Sequence, residues 1–189
     1  MSNQIAMRNL KNLTVKNADI FMSNGLIQSD TKYPVYYKWI DDNTLVCDGT
    51  MMGNEQSPML PTVYDTEAPL QTVYCQDSNI HIYDSVFVST SLHITMKGKC
   101  DMTIPKREYS TINHIVAGTG SLHANDSIVE TFSTCVTGSS SVERCCFRKN
   151  IVVAVVGLLR LTGVKSKKCN VTKNVVGDLQ DCLINKGVV

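Results

Sequence analysis

This chain carries little charge. Only 19% of its 189 residues are charged, and the formal net charge is +1. Without a global field there is no electrostatic footprint for nucleic acid or anionic lipid. The densest basic patch, Lys165, Lys167 and Lys168, is too short to alter that. Long hydrophobic runs are missing as well. The longest, Ile151 to Leu159, falls far short of the ~20 residues that cross a bilayer as a helix, so no transmembrane segment is expected. The start, Met1 to Arg8, has no apolar stretch of signal-peptide length, and the expected setting is cytoplasmic or a virion, with no signal peptide. Aromatics are scarce at 6%, and residues 110-189 hold only Phe132 and Phe147. That counts against a glycan-binding face built on a long aromatic stripe in this region.

The spacings that mark chemistry are absent too. Eight cysteines stand at 47, 75, 100, 135, 145, 146, 169 and 182, and none forms the C-x-x-C pair of a zinc or thioredoxin-like centre. They read as small buried hydrophobes of a reduced protein. Adjacent Cys145 and Cys146 point to opposite faces of a strand, which leaves one of them open to oxidants. The four histidines, His81, His93, His114 and His123, read as strand residues without convergent partners, although His81 and His93 fit neighbouring strands. Asp126, Glu130, Glu143, Asp178 and Asp181 are scattered through the last third with no repeating position, and Asp41-Asp42 belongs to a turn. There is no G-x-S-x-G elbow, and Gly118-Thr119-Gly120 lacks the lysine and helix of a phosphate loop. The expectation is a protein that is not an enzyme, with no catalytic, cofactor-binding or metal-binding residues.

What the chain does have is a repeat. Gly118-Thr119-Gly120-Ser121-Leu122, Gly138-Ser139-Ser140-Ser141-Val142, Val155-Val156-Gly157-Leu158-Leu159 and Val175-Val176-Gly177-Asp178-Leu179 each pair a small corner with an aliphatic residue. Leu122, Val142, Leu159 and Leu179 follow at intervals of about 20, 17 and 20 residues, the period of a β-solenoid. Gly118, Gly120, Gly138, Gly157 and Gly177 are read as coil corners, where absence of a side chain lets turns bend and stack. The four aliphatics are read as inward residues stacked one above the next. In this alignment Val155 and Val175 stand where Gly118 and Gly138 do, so Gly157 and Gly177 match Gly120. The turns run 112-128, 129-147, 148-166 and 167-189, and no proline occurs after Pro105 to interrupt a parallel ladder.

Upstream, Asn79 to Tyr83 and Ser91 to Met96 alternate apolar and polar residues as half-buried strands do. Lys97 to Tyr109, charged and carrying Pro105, reads as a loop projecting from the stack. The solenoid is therefore placed at residues 76-189, with an insertion at 97-109. Residues 1-75 hold four of the five prolines and the sole tryptophan, Trp39, and read as an irregular β-rich portion that caps or flanks it. Within it, Tyr36 to Ile40 and Thr44 to Cys47 form a hairpin turning at Asp41-Asp42-Asn43. Met51 to Pro61 reads as a loop and Val63-Tyr64 as a short strand. Asn12 to Asn24 fits an opening strand or an amphipathic cap, and helix content is expected to be low.

The element G-[ST]-[GS]-S-[LV], whole in Gly118 to Leu122 and Gly138 to Val142 and degraded in the next two corners, resembles the head-GIN family of autotransporter adhesins. The resemblance covers about residues 112 to 182. It implies a right-handed, short-turned β-solenoid and carries over no catalytic residue. The expected fold is thus all-β, a right-handed parallel β-helix of about 4-6 coils in the C-terminal part. The expected function is a structural or assembly protein whose rigid body contacts other protein subunits, homo- or hetero-oligomeric, as a minor virion or capsid component does. Two alternatives stand beside it. One is a glycan- or surface-binding adhesin-like module; the other is a carbohydrate-active β-helix enzyme, which needs paired carboxylates in a groove.

Overall fold

The computed structural model describes residues 10-23, 26-29, 35-50, 69-163, 165-166 and 174-180. The expected loop at Met51 to Pro61, the strand at Val63-Tyr64 and the last turn outside 174-180, with Cys169 and Cys182, lie outside these residues. Among the described residues the protein is all-β, with a single 3-10 turn at Ser85–Phe87 and no α-helix. The strands are β1 (Asn12–Lys16), β2 (Asp19–Ser23), β3 (Leu26–Ser29), β4 (Tyr36–Trp39), β5 (Thr44–Asp48), β6 (Leu70–Gln76), β7 (Asn79–Ile82), β8 (Val88–Thr103), β9 (Glu108–Thr162), β10 (Lys165–Ser166) and β11 (Asn174–Gln180).

Period-2 burial makes these strands. β1, β2 and β5 each alternate intermediate and buried positions, with Leu13, Val15, Ile20, Leu45 and Cys47 at 0–1% exposure. β9 has 55 residues, a length of roughly 180 Å if it ran straight. It folds back on itself instead, bending at residues with positive φ: Gly118, Asn125, Asp126, Gly138, Arg144 and Gly157. Each return lays the chain beside itself in parallel. Ser91 to Thr103 of β8 lie opposite Thr111 to His123 of β9, and Asn174 to Gln180 of β11 lie opposite Ala154 to Arg160. The two arms of β8 pair with different strands, Thr95 opposite Tyr74 on β6 and Asp101 opposite Asn79 on β7. Between those arms sits Gly98, with φ 73°.

All eleven strands belong to one curled sheet, and that sheet is mixed. β2–β3 and β4–β5 are antiparallel hairpins, while the other pairings are parallel. The hairpin read from Tyr36 to Cys47 is present, and Asp41 accepts the Asn43 backbone N–H at 2.8 Å to turn it. Asn12 to Asn24 supplies two strands, β1 and β2.

Two expectations change. Lys97 to Tyr109 does not project as an insertion, because Lys97 to Thr103 pair residue for residue with Ala117 to His123. The charged residues Lys97, Lys99 and Asp101 face outward between buried Met96, Cys100 and Met102. Pro105 lies in the short turn that follows, its carbonyl accepting from Tyr109 Oη at 3.0 Å and Ser127 Oγ at 3.2 Å. The described part of residues 1-75 is likewise not a separate irregular portion. β1 lies between β5 and β6, in register with both, and its side chains join the same core as β6 and β8. Strand order here departs from chain order, since β5 stacks outside β1 although it follows it in sequence.

Candidate functional site

The corners set which side chains share a column. A Cβ added at Gly118 would lie 2.4 Å from the Gly98 carbonyl oxygen, one at Gly138 2.2 Å from that of Gly118, and one at Gly157 2.0 Å from that of Gly138. Their φ values, 126°, 120° and 134°, are open to glycine and to almost nothing else. Gly177 continues the ladder opposite Gly157. Below Gly98 the same corner is made by Asp77, φ 47°, and below that by Asn17, φ 50°, two residue types that tolerate the left-handed region. Asp77 also accepts the Lys99 backbone N–H at 3.0 Å.

This ladder corrects the sequence alignment. Gly157 stacks on Gly138 and Gly118, not on Gly120. Gly120 is no corner: it points inward, where an added Cβ would lie 2.8 Å from Met96 Sδ and 3.1 Å from Val116. Leu122, Val142 and Leu159 are all inward, each at 0% exposure. Counted from the aligned corners, however, Leu161 is level with Val142, Leu122 and Met102, while Leu159 is level with Ser140 and Gly120. Leu179 lies opposite Leu159.

Outward positions after the corners form two adjacent columns. One runs Asp19, Asn79, Asp101, Ser121; the other runs Phe21, His81, Thr103, His123. Register converts sequence-distant residues into neighbours. Asn79 donates to Asp19 at 2.8 Å, and His81 Nδ1 lies 3.1 Å from Thr103 Oγ1. His123 carries a carboxylate on each ring nitrogen, Asp101 at 3.2 Å from Nε2 and Glu143 at 3.2 Å from Nδ1. Beside this cluster the rings of Phe21 and His81 stack at 5.0 Å, and His81 and Tyr83 at 6.4 Å. Tyr83 is 55% exposed.

The sequence reading missed this cluster because it placed Asp101 in a projecting loop. The alternation of Met96, Cys100 and Met102, and Gly98 standing one repeat before Gly118, were signals that could have found it. His81 and His93 do not meet: His93 faces Asn113, with Nδ1 and Nδ2 3.1 Å apart. His114 is buried in the core.

A second set of outward charges also pairs across the returns. Arg148 reaches both Glu108 and Glu130 at 3.2 Å, and Arg144 pairs with Asp126. The Asp126 hydrogen bond and charge raise the Arg144 pKa. As exposed pairs they orient the surface more than they stabilise it.

A groove of about 500 Å³ opens beside the 3-10 turn, lined by Pro69, Ser85, Val86, Ser89, Arg107 and Glu108. Arg107 forms one wall and is already engaged. Its Nη1 donates to the Ser85 carbonyl at 2.7 Å and to the Val88 carbonyl, and its guanidinium lies 5.6 Å from the Tyr109 ring centroid. Arg107→Ala is expected to cost about 1.5–3 kcal/mol by orphaning those carbonyls. Thermal denaturation followed by circular dichroism checks it; an unchanged midpoint means that the turn does not depend on Arg107.

The described cysteines divide by depth. Cys47 and Cys145 are buried, and burial pushes each thiol up to about 12. Cys146 is half-exposed beside buried Cys145, and Cys135 is exposed. Among the described residues no group of three or more histidine, cysteine, aspartate or glutamate side chains is placed to hold a metal ion. Nor is any described helix long and apolar enough to cross a membrane.

The fold and these columns define the chain as an all-β protein with stacked parallel returns. No protein-family model, curated protein or solved structure matches it.

Proposed function

We propose that the chain is a right-handed parallel β-solenoid, finished at its N-terminal end by antiparallel hairpins, and that it serves as a non-enzymatic structural component of a larger protein assembly. The setting that fits its composition is cytoplasmic or a virion, the latter as a minor capsid-associated component. The observation that carries this reading is how the outward titratable side chains are used. Both ring nitrogens of His123 are taken by carboxylates from neighbouring returns, and Arg148 bridges two glutamates. These groups orient the outer surface of one return towards that of the next. A general acid or base needs a group aimed at a substrate, and His123 is directed at its neighbours, hydrogen-bonded to Asp101 through Nε2 with Glu143 3.2 Å from Nδ1. Stacked returns also give long stiff faces, which suit contact with other subunits.

Sedimentation velocity and light scattering on the purified chain test this. The expected result is a defined oligomer, homo-oligomeric with this chain alone, at tens of micromolar. A monodisperse monomer that also fails to co-assemble with the proteins encoded beside it overturns the reading.

A second reading, the adhesin-like glycan- or surface-binding module, draws support from the Phe21, His81 and Tyr83 rings beside the Asp101–His123–Glu143 cluster. Aromatic rings next to carboxylates suit sugar CH groups and hydroxyls. Binding on a glycan array that Tyr83→Ala abolishes would favour this reading over the first.

A further inference from the structure

Two cysteines meet inside the stack in a way that their sequence positions conceal. Cys75 lies two residues before the Asp77 corner, near the end of β6. Cys100 lies two residues after the Gly98 corner, one return further on. The next return shows what that relation means in space. Gly120 stands two residues after its own corner, and a Cβ there would lie 2.8 Å from Met96 Sδ, which stands two residues before the corner beneath. A side chain leaving a corner thus faces the side chain that enters the corner below. Cys100 and Cys75 stand in that relation. Cys100 Sγ also lies 3.3 Å from the Cys75 carbonyl oxygen and 3.2 Å from that of Lys97, while Cys75 Sγ lies 3.1 Å from the Ser78 carbonyl oxygen. Both are buried, Cys75 at 0% and Cys100 at 4% exposure. Cys47, in the same interior column as Cys75, is kept apart from it by Val15, which pairs with both.

We propose that Cys75 and Cys100 form an oxidisable dithiol site, which a hydroperoxide converts to a disulfide joining β6 to β8. The two thiols are unequal. Cys100 is the less deeply buried, at 4% against 0% exposure, and the neighbouring Cys75 and the backbone of Ser78, Lys97 and Asp77 lower its thiol. The neighbouring Cys100 and burial raise the Cys75 thiol. Cys100 is therefore the nucleophile. Its thiolate attacks one peroxide oxygen, the O–O bond breaks, and Cys100 becomes a sulfenic acid as the other oxygen leaves and takes up a proton to give water. Cys75 sulfur then attacks the sulfenic sulfur, the S–O bond breaks, and the second oxygen leaves as water with the Cys75 proton. Two thiols and one hydrogen peroxide yield one disulfide and two waters. Cys135 is exposed but has no such partner among the described residues.

The test is thiol mapping on the native full-length chain. Purified protein is treated with hydrogen peroxide, denatured, alkylated with N-ethylmaleimide, digested and analysed by mass spectrometry. The expected result is a peptide pair joined through Cys75 and Cys100 and reversed by dithiothreitol. It comes with a thermal midpoint raised on the order of 10 °C, because the bond closes a long loop in the unfolded chain. Cys75→Ala is expected to leave Cys100 as a sulfenic acid that dimedone traps, and Cys100→Ala to leave Cys75 reduced. Recovery of both Cys75 and Cys100 as alkylated residues, at a peroxide dose that has oxidised Cys135, overturns the proposal. So does a disulfide that joins either to a different cysteine. The wild-type map is decisive by itself, so a variant that fails to fold does not blunt the test.

Discussion

Gly138→Ala is expected to abolish folding or to cost more than about 4 kcal/mol, a large part of the 5–15 kcal/mol that holds a typical domain together. Two penalties combine. At φ 120° an alanine is strained whatever its surroundings. Its Cβ would also sit 2.2 Å from the Gly118 carbonyl oxygen, and backbone in the middle of a stack cannot step aside. Nor can the return above it give way, because Gly157 approaches the Gly138 carbonyl just as closely. Gly163→Ala separates the penalties. It has φ 63° but no atom nearer than 3.8 Å to an added Cβ, and should cost about 1 kcal/mol. Urea denaturation of both variants checks the prediction, and equal midpoints would show that the corner stack is not what holds the returns at their spacing.

Acidification should destabilise the protein through His114 before the carboxylates titrate. The imidazole is fully buried, with Nδ1 3.2 Å from Thr134 Oγ1, the Phe132 ring centroid at 6.1 Å, and no hydrogen-bond partner for Nε2 among the described residues. Burial pushes its pKa from 6.5 to about 4. The folded value lies below the unfolded one, so the unfolded chain gains the proton first. Above pH 6.5 both states are neutral at His114 and it gives no pH dependence. As pH falls from 6.5 towards 4, stability drops by up to about 1.4 kcal/mol per unit, or about 2 kcal/mol by pH 5. His114→Leu fills the site without a titrating group and should remove that slope. The difference between the two proteins' stability-versus-pH curves isolates His114 from His81, His93 and His123, and identical slopes from pH 6.5 to 5 would refute the assignment.

Both predictions rest on features the sequence shows only in part. Gly118 and Gly138 are legible as small residues one repeat apart. The alignment of Gly157 with Gly120 was wrong by two residues for a physical reason. In a strand, a slip of two keeps every side chain on its own face, so apolar alternation fits both registers equally. Only the demand for positive φ beneath a carbonyl oxygen 2.0 Å from the missing Cβ picks Gly138 as the partner of Gly157. Lys97 to Tyr109 misled in the same way. Charge and Pro105 outweighed the alternation of Met96, Cys100 and Met102, and with that the Asp101–His123–Glu143 cluster was lost from view.

By itself, then, the sequence determined the all-β class, the period near 20 residues, and the inward direction of Leu122 and Val142, because side-chain alternation and chain length are local properties. It also made plain the hairpin at Asp41 to Asn43. Only the tertiary structure decided which returns lie against which. It set β1 between β5 and β6 against chain order, brought Cys75 to Cys100, and gave His123 a carboxylate on each side. Those outcomes depend on register between strands about 20 or more residues apart, which is fixed where backbone meets backbone at the corners and leaves no mark on any one strand.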